Sequence, residues 1–296
     1  MIKQNIKKIL RHYGYEIHKI ESYPQKKAQA LITGPPPIDP VWPLPRKSGG
    51  PSDEEVGKEF AKYDSWHYAY KFDGGLSFSA RHNNPGPLSD TPDRPLQRFR
   101  HFMPYLVEAQ NGSLQGKRIL DIACNSGFWS IQCALLGAEV IGFDARVGLI
   151  EQANLIKSIV GINNVEFRVL DFWDMSPQLL HGTFDIVLNL GILYHLPNPL
   201  ESLELTKSMA KGHILLDTGV NSSNDSVHPV IELRWEEPTD IRNASSSGIV
   251  AYPSKSAIGL MLRHLRVTEW FEIPLRTTDM PRDYLDHRRA SWLIKV

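Results

Sequence analysis

One short stretch constrains the fold more than any other part of the sequence. Residues 118–127 (RILDIACNSG) run from an apolar segment into a tight turn of small residues, and a helical apolar spacing follows. A second apolar segment, residues 139–144 (EVIGFD), then ends in an acid. A strand, a tight turn, a helix and a second strand form half of a nucleotide-binding α/β unit. The sequence therefore predicts a cofactor site at the turn.

From about residue 95 onward, predicted strands alternate with predicted helices. The strands are expected at 118–123, 139–144, 165–170, 184–190 and 213–218, with helices at 95–106, 199–209, 254–265 and after the first two strands. Two further strands close the chain, and in the last one Ala290, Trp292, Ile294 and Val296 share a face. Strands that alternate with helices pair in parallel through right-handed crossovers. We therefore predict an α/β fold with a Rossmann-like, seven-stranded, mostly parallel sheet flanked by helices.

The first 94 residues do not share this alternation and are predicted to form an N-terminal helical and irregular extension. Residues 1–20 have the spacing of a short helix with a basic face, residues 34–52 are rich in Pro and Gly, and residues 60–93 are rich in aromatics. The basic helix is expected to pack on its own domain; the alternative is docking to a partner, a second copy or an anionic membrane surface. The cofactor-binding domain is expected over residues 95–296.

Composition narrows the class of protein. The sequence has 33 basic and 33 acidic residues, and a dedicated nucleic-acid binder usually has a basic excess, so nucleic acid is not the favoured partner. Two cysteines, Cys124 and Cys133, provide neither a disulfide framework nor a structural zinc site. No apolar run reaches the ~18 residues of a membrane span, and the first residues lack a signal-peptide pattern. We therefore expect a cytoplasmic protein without a transmembrane segment.

Candidate ligand-binding residues, most of them acidic or small, collect where the predicted strands end. They are Asp121, Ala123, Asn125 and Gly127 after the first strand, Asp144 after the second, Asp171 and Phe172 after the third, and Asn189 and Leu190 at the end of the fourth. Parallel sheets bind ligands at these strand ends. Acids at three strand ends without a lysine fit a cationic nucleoside that lacks phosphate. The complete Gly-x-Gly-x-x-Gly of dinucleotide sites and the Gly-Lys-Ser/Thr of P-loops are both missing. S-adenosylmethionine is therefore favoured over NAD or ATP.

Several segments together resemble the successive motifs of class I S-adenosylmethionine-dependent methyltransferases. These segments are residues 121–127 (DIACNSG), Asp144, Asp171 with Phe172, and residues 184–199 (FDIVLNLGILYHLPNP). The resemblance covers about residues 116–296, including the final strand pair that this family adds to the sheet. Residues 190–195 (LGILYH) resemble the branch that contains the tRNA wobble-uridine carboxymethyltransferase and its relatives that methylate small molecules or sugars. Residues 66–75 (WHYAYKFDGG) are similar to a pre-domain segment of that branch.

The resemblance implies a set of residues that bind S-adenosyl-L-methionine. They are Asp121, Ala123, Asn125, Gly127, Phe128, Asp144, Ala145, Asp171, Phe172, Asn189, Leu190 and Tyr194. The family usually has Gly-x-Gly-x-Gly in its first loop, so Ala123 and Asn125 depart from the pattern. Asparagine tolerates left-handed backbone conformations more readily than most residues. We therefore expect the loop to keep its cofactor.

Candidate residues for the acceptor side lie around this set. His195 and His228 are candidate general bases, because an unperturbed histidine titrates near neutral pH; the alternative is a structural hydrogen bond for His195 and a solvated loop for His228. The aperiodic insert at about 220–252, a candidate substrate lid, carries Glu232 and Glu236. The aromatic segment offers Trp66, His67 and Tyr70 as a wall over the cleft, against ordinary packing. These residues show no metal-ligand spacing, so no metal is predicted.

We expect the protein to transfer a methyl group to a small-molecule acceptor, at a hydroxyl oxygen of a sugar or secondary metabolite. One alternative is a tRNA wobble-uridine (carboxy)methyltransferase, in which Tyr194, with Lys71 and Arg289, would hold a carboxylated cofactor. Another is a non-catalytic methyltransferase-like binding protein, which the altered first loop would suit. A nicotinamide-dependent enzyme is the least favoured. The sequence leaves the acceptor and the oligomeric state open.

Overall fold

The structure is a computed structural model that describes residues 34–81, 93–222, 228–237 and 248–296. The helix predicted at residues 1–20 lies outside this range. The strands are β1 (Tyr70–Lys71), β2 (Ser77–Phe78), β3 (Arg118–Ile122), β4 (Glu139–Asp144), β5 (Val165–Val169), β6 (Phe184–Leu190), β7 (Ala210–Gly219), β8 (Ile231–Trp235), β9 (Ile249–Pro253), β10 (Glu269–Glu272) and β11 (Arg289–Lys295). The helices are α1 (Asp53–Ala61), α2 (Arg94–Ala109), α3 (Phe128–Leu135), α4 (Val147–Val160), α5 (Pro199–Met209), α6 (Lys255–His264) and α7 (Arg282–Leu285).

Seven of these strands form the central sheet, in the order β10–β11–β7–β6–β3–β4–β5. All pairings from β7 to β5 are parallel, whereas β11 runs antiparallel to both of its neighbours. The predicted seven-stranded, mostly parallel sheet is confirmed. The observed bounds lie within a few residues of the predicted ones, because strands that are covered on both faces have continuous apolar sequences.

Two hydrophobic clusters cover the two faces of the sheet. Alternate residues of β3 belong to different clusters: Ile119 packs with α2, α3 and α4, and Leu120 packs with α5 and α6. This follows from the two-residue period of a strand. Burial of each large apolar side chain contributes roughly 1.5–3 kcal/mol. The two layers of helices thus hold the strand ends in fixed positions around the site.

The segment before α2 joins the first of these clusters, and residues 35–296 form one compact unit. Phe60 of α1 stacks on Trp66 at a ring-centroid distance of 4.2 Å and on Phe78 at 3.7 Å. The Pro/Gly-rich arm, residues 34–52, forms backbone hydrogen bonds with the rest of the fold. One of these bonds joins Lys47 N to Ile159 O of α4 at 2.8 Å. The arm and the aromatic segment therefore pack on the helices of the sheet.

The insert at 220–252, for which the sequence showed no periodicity, contains regular structure. β8 and β9 pair antiparallel, from Ile231 opposite Pro253 to Trp235 opposite Ile249. In β8 of this hairpin the apolar residues face outward, since Leu233 is 64% exposed and Trp235 is 71% exposed. In β9, by contrast, Val250 and Ala251 are buried. The hairpin therefore has one exposed strand and one largely buried strand.

Candidate functional site

The candidate site lies at the carboxyl ends of β3, β4 and β6. β3 pairs with β4 on one side and with β6 on the other, and the chain leaves β3 toward β4 and β5 before it crosses to β6. Such a reversal of strand order opens a crevice at the strand ends, where open α/β sheets bind their ligands. The residues after β3, β4, β5 and β6 therefore converge on one crevice.

The loop after β3 has a left-handed backbone at every second residue. The φ angles are 53° at Ala123, 54° at Asn125 and 83° at Gly127. The Asn125 side chain stabilises its own turn, because its Oδ1 accepts a hydrogen bond from Ser126 N at 2.7 Å. Ala123 has no such compensation, and a left-handed conformation costs a residue with a Cβ roughly 1–2 kcal/mol. The loop thus keeps a conformation that favours glycine although two of the three residues are not glycine.

Gly127 is required for a second reason, which is space. A Cβ at this position would lie 2.6 Å from Phe167 Cζ and 3.1 Å from Ala153 Cβ. From the other side, the buried Tyr70 donates its hydroxyl to Ser126 O at 2.7 Å. The loop is therefore fixed between β5, α4 and the N-terminal aromatic segment, and the N-terminal N–H groups of α3 point into the crevice.

Two buried carboxylates flank the loop. Asp121 accepts a hydrogen bond from Ser130 Oγ at 2.6 Å, and burial raises the pKa of Asp121 to about 7. Asp144 is 2% exposed and accepts hydrogen bonds from Asn125 N at 3.2 Å and from Arg146 Nε at 2.8 Å. Asp144 is thus joined to the loop and to the partly exposed guanidinium of Arg146 at the end of β4.

The remaining predicted cofactor residues surround this pair. Asp171 is exposed and caps the 3₁₀ turn Phe172–Asp174, with Oδ1 accepting from Trp173 N at 2.9 Å. The Phe172 ring is buried, and Ala145 is exposed beside Asp144. Phe128 is buried against Trp42 and Trp129. The end of β5 and the start of α3 therefore supply one polar and two apolar groups close to the loop.

At the end of β6, the Asn189 side chain donates from Nδ2 to Thr206 Oγ1 at 3.1 Å. Its Oδ1 is buried and has no hydrogen-bond partner within the described part of the chain. Leu190 follows and is half-buried. Gly191 turns the chain with φ 97° and donates its N–H to Asp217 O at 2.8 Å. The turn after β6 is therefore tied to β7.

A buried charge cluster, which the sequence analysis did not find, lies beneath this turn. The Asp217 carboxylate accepts hydrogen bonds from Arg98 Nη2 at 2.6 Å, Arg289 Nη1 at 2.8 Å, Ser291 Oγ at 2.7 Å and the Tyr284 hydroxyl. Burial raises the pKa of Asp217, but the two guanidinium groups outweigh this and lower it to about 2. The residues come from three separate parts of the sequence, namely α2, β7 and the consecutive elements α7 and β11, so no local pattern indicated the cluster.

Arg289 connects the charge cluster to Tyr194. Its Nη2 donates to the Tyr194 hydroxyl at 3.1 Å, and its Cζ lies 5.0 Å from the centre of the Tyr194 ring. Arg289 Nε also donates to Asp283 Oδ2 at 2.8 Å. The Tyr194 ring further contacts Tyr252 of β9, with the centroids 5.1 Å apart. Tyr194 is therefore held between the last strand of the sheet and the hairpin.

His195 follows Tyr194 and pairs with the hairpin. Its Nδ1 lies 2.5 Å from Glu236 Oε2, and the His195 side chain is 5% exposed. Burial lowers the pKa of His195, and the hydrogen bond with Glu236 acts in the opposite direction. The structure thus brings together His195, a candidate general base, and Glu236, a residue of the predicted lid insert.

The other predicted acceptor-side residues lie elsewhere. His228 is exposed, and Glu232 bonds to Asn221 Nδ2 at 2.5 Å and to Arg234. Trp66 was predicted to form a wall over the cleft; its ring is instead buried in the aromatic cluster, and its Nε1 donates to Phe60 O at 3.2 Å. His67 is half-buried with its ring 4.6 Å from Tyr68.

Among the described residues, no group of three or more His, Cys, Asp or Glu side chains is placed to hold a metal ion. Over the same residues, no helix has the length and apolarity needed to cross a membrane. Cys124 and Cys133 are both buried free thiols.

Comparison with known proteins agrees with this geometry. Residues 113–245 match the model of a methyltransferase domain family. A tRNA U34 carboxymethyltransferase of Helicobacter hepaticus is 31% identical over 137 residues, which cover 44% of this chain and 43% of that protein. A ubiquinone biosynthesis O-methyltransferase of Acinetobacter baylyi is 26% identical over 127 residues, which cover 42% and 53%. The chain thus matches about half the length of these relatives.

Among solved structures, the N-terminal domain of EvdMO1, crystallised in the presence of SAH and D-fucose, has the same fold. The TM-score is 0.64 at 21% sequence identity, over 84% of this chain and 98% of that one. Residues 113–245 thus match a methyltransferase domain, on the fold of a protein that was solved with SAH. These findings together support a class I, S-adenosylmethionine-dependent methyltransferase domain with S-adenosyl-L-methionine as its cofactor.

Proposed function

We propose that the protein transfers the methyl group of S-adenosyl-L-methionine to a hydroxyl oxygen of a small-molecule acceptor, a sugar or a secondary metabolite. One observation carries this proposal. The buried His195 lies on the 3₁₀ turn Leu193–His195, which follows β6 at the crevice. A neutral hydroxyl is a weak nucleophile, and a positioned base accelerates its reaction by roughly 10²–10⁴-fold.

The residues present fit the cofactor. The left-handed backbone at Ala123, Asn125 and Gly127 turns the loop at the N-terminus of α3, where free N–H groups can bind a ligand. The carboxylates of Asp121 and Asp144 suit a cationic nucleoside with free ribose hydroxyls. When bound, S-adenosyl-L-methionine supplies a methyl group on a cationic sulfonium. Asp144 would hold the ribose, and Phe172 and Asp171 would border the adenine.

The acceptor class rests on two weaker supports. The EvdMO1 domain, with the same fold, was crystallised with D-fucose, and the sequence has no excess of basic residues for binding nucleic acid. A direct test uses methyl-labelled S-adenosylmethionine with a panel of 6-deoxyhexoses, glycosides and phenolic metabolites. Label transfer that is lost on His195→Asn supports the proposal. Label transfer to transfer RNA alone would contradict it.

The Tyr194–Arg289 contact favours a second candidate, a tRNA wobble-uridine carboxymethyltransferase. A hydroxyl and a guanidinium side by side could bind the carboxylate of a carboxylated cofactor, and one relative has this activity in its name. Against it, Arg289 already bonds to Asp217 and Asp283, and Lys71 is exposed on β1. A competition experiment between S-adenosyl-L-methionine and its carboxylated form separates the two candidate functions. A marked preference for the carboxylated form would favour the carboxymethyltransferase.

A further inference from the structure

We infer that Glu236, on the hairpin, is a positioning residue for His195, and that the two form a base which is complete only when the hairpin lies on the crevice. This inference rests on the proposed methyl transfer to a hydroxyl. The pair joins Nδ1 of His195 to Oε2 of Glu236 at 2.5 Å across 41 residues of sequence. Glu236 directly follows β8, so its position depends on the hairpin.

The hairpin is fixed to the crevice by more than this one contact. Tyr252 of β9 packs on Tyr194, and the Arg234 guanidinium lies 4.2 Å from the centre of the Tyr252 ring. At the base of the hairpin, Glu232 accepts from Asn221 at 2.5 Å. Glu232 and Tyr252 are register partners on the face opposite the exposed Leu233 and Trp235. The Tyr252–Tyr194 and Glu236–His195 contacts thus hold this face of the hairpin against the turn that carries His195.

Charges from three elements act on the His195 imidazole. Burial lowers the pKa of His195, Glu236 of the hairpin raises it, and Arg289 of β11 and Arg146 after β4 lower it. Tyr194, in the same 3₁₀ turn, packs its ring 4.0 Å from the imidazole. The net direction is downward, so the ring is neutral at neutral pH and can accept a proton. With Nδ1–H donating to Glu236, the lone pair lies on Nε2.

The reaction step follows from this tautomer. The acceptor O–H proton passes to His195 Nε2 while the acceptor oxygen forms its bond to the methyl carbon. The carbon–sulfur bond breaks, and its electron pair stays on sulfur as a neutral thioether. The imidazolium that forms is stabilised by the Glu236 carboxylate and later releases its proton to water. Glu236 thus favours the charged form of the base during the reaction and fixes which nitrogen faces the acceptor.

Nitrogen NMR of histidine-labelled protein tests this without an acceptor. Of the 11 histidines, His195 is assigned by the signal that disappears in His195→Asn. In the wild type we expect the tautomer with Nδ1 protonated. Glu236→Gln keeps an oxygen that can accept the hydrogen bond but removes the charge, so the pKa of His195 should fall. Glu237→Gln, the same change at the exposed neighbouring position, should leave it unchanged.

An Nε2-protonated tautomer in the wild type, which requires no mutation, would overturn the inference. An equal pKa of His195 in the wild type and in Glu236→Gln would also overturn it. Titration of the same proteins with S-adenosylhomocysteine distinguishes failure of the proposed function from failure of the role of Glu236. Absence of binding by the wild type would remove the proposed function, whereas retained binding with an unchanged His195 pKa would remove only the role of Glu236.

Discussion

At the scale of the residue, Gly127 combines two constraints that can be measured separately. Its φ of 83° disfavours any side chain, and a Cβ would also overlap Phe167 and Ala153. Gly127→Ala has two costs: the strain of a left-handed backbone with a Cβ, and the overlap of that Cβ with its neighbours. We expect the overlap to lower the free energy of unfolding by about 1–3 kcal/mol in addition to the backbone strain.

Gly112→Ala provides the matched control for this prediction. Gly112 has a similar φ of 86°, but a Cβ there would meet no atom within 4 Å. Urea unfolding of both variants isolates the steric contribution, and equal losses of stability would show that Gly127 is needed only for its backbone angle.

Asp121 makes stability depend on pH. Its pKa in the folded protein is raised to about 7, above its ordinary value of 3.8, so the native state keeps a proton that the unfolded chain releases. The contribution of Asp121 to stability is therefore lost as pH rises from about 4 to 7. Compared with Asp121→Asn, the wild type should lose about 2–3 kcal/mol of unfolding free energy between pH 5 and pH 8. Identical pH profiles for the two proteins would show that Asp121 is ionised throughout.

At the scale of the element, the Asp217 cluster joins β7 to α2, α7 and β11. Asp217→Asn would leave the buried Arg98 and Arg289 without their shared carboxylate, and breaking a buried pair costs about 3–5 kcal/mol. Asp286→Asn is the control, because Asp286 pairs with exposed arginines and should change stability by at most ~1 kcal/mol. Similar unfolding free energies for the two variants would contradict a stabilising role for the cluster.

The elements differ in how well the sequence predicts them. β4 and β6 were predicted to the residue, because apolar runs that end in an acid or amide indicate buried strands with polar ends. The β8–β9 hairpin was not predicted, because each strand has only five residues and the apolar side chains of β8 are exposed. Buried arginines such as Arg98 could not be recognised either, since a charge is usually exposed and only its distant partner, Asp217, permits burial.

At the scale of the whole molecule, the N-terminal aromatic segment supports the cofactor loop. The Tyr70 hydroxyl contacts Ser126 O at 2.7 Å and Ser126 Oγ at 2.9 Å. Tyr70→Phe leaves the buried Ser126 groups unpaired, which we expect to cost about 1–3 kcal/mol and to weaken cofactor binding. Tyr105→Phe is the control, since the Tyr105 hydroxyl is buried without a hydrogen-bond partner among the described residues. Unchanged cofactor affinity in Tyr70→Phe would show that the segment only covers the domain.

We propose that the crevice at the ends of β3, β4 and β6 binds S-adenosyl-L-methionine through Asp144. Calorimetric titration with S-adenosylmethionine and S-adenosylhomocysteine tests it most directly, with Asp144→Ala as the variant and the exposed Asp174→Ala as its control. We predict micromolar binding by the wild type and by Asp174→Ala, and a loss of at least about tenfold, ~1.4 kcal/mol, in Asp144→Ala. Absence of binding by the wild type, or equal binding by all three proteins, would contradict the account.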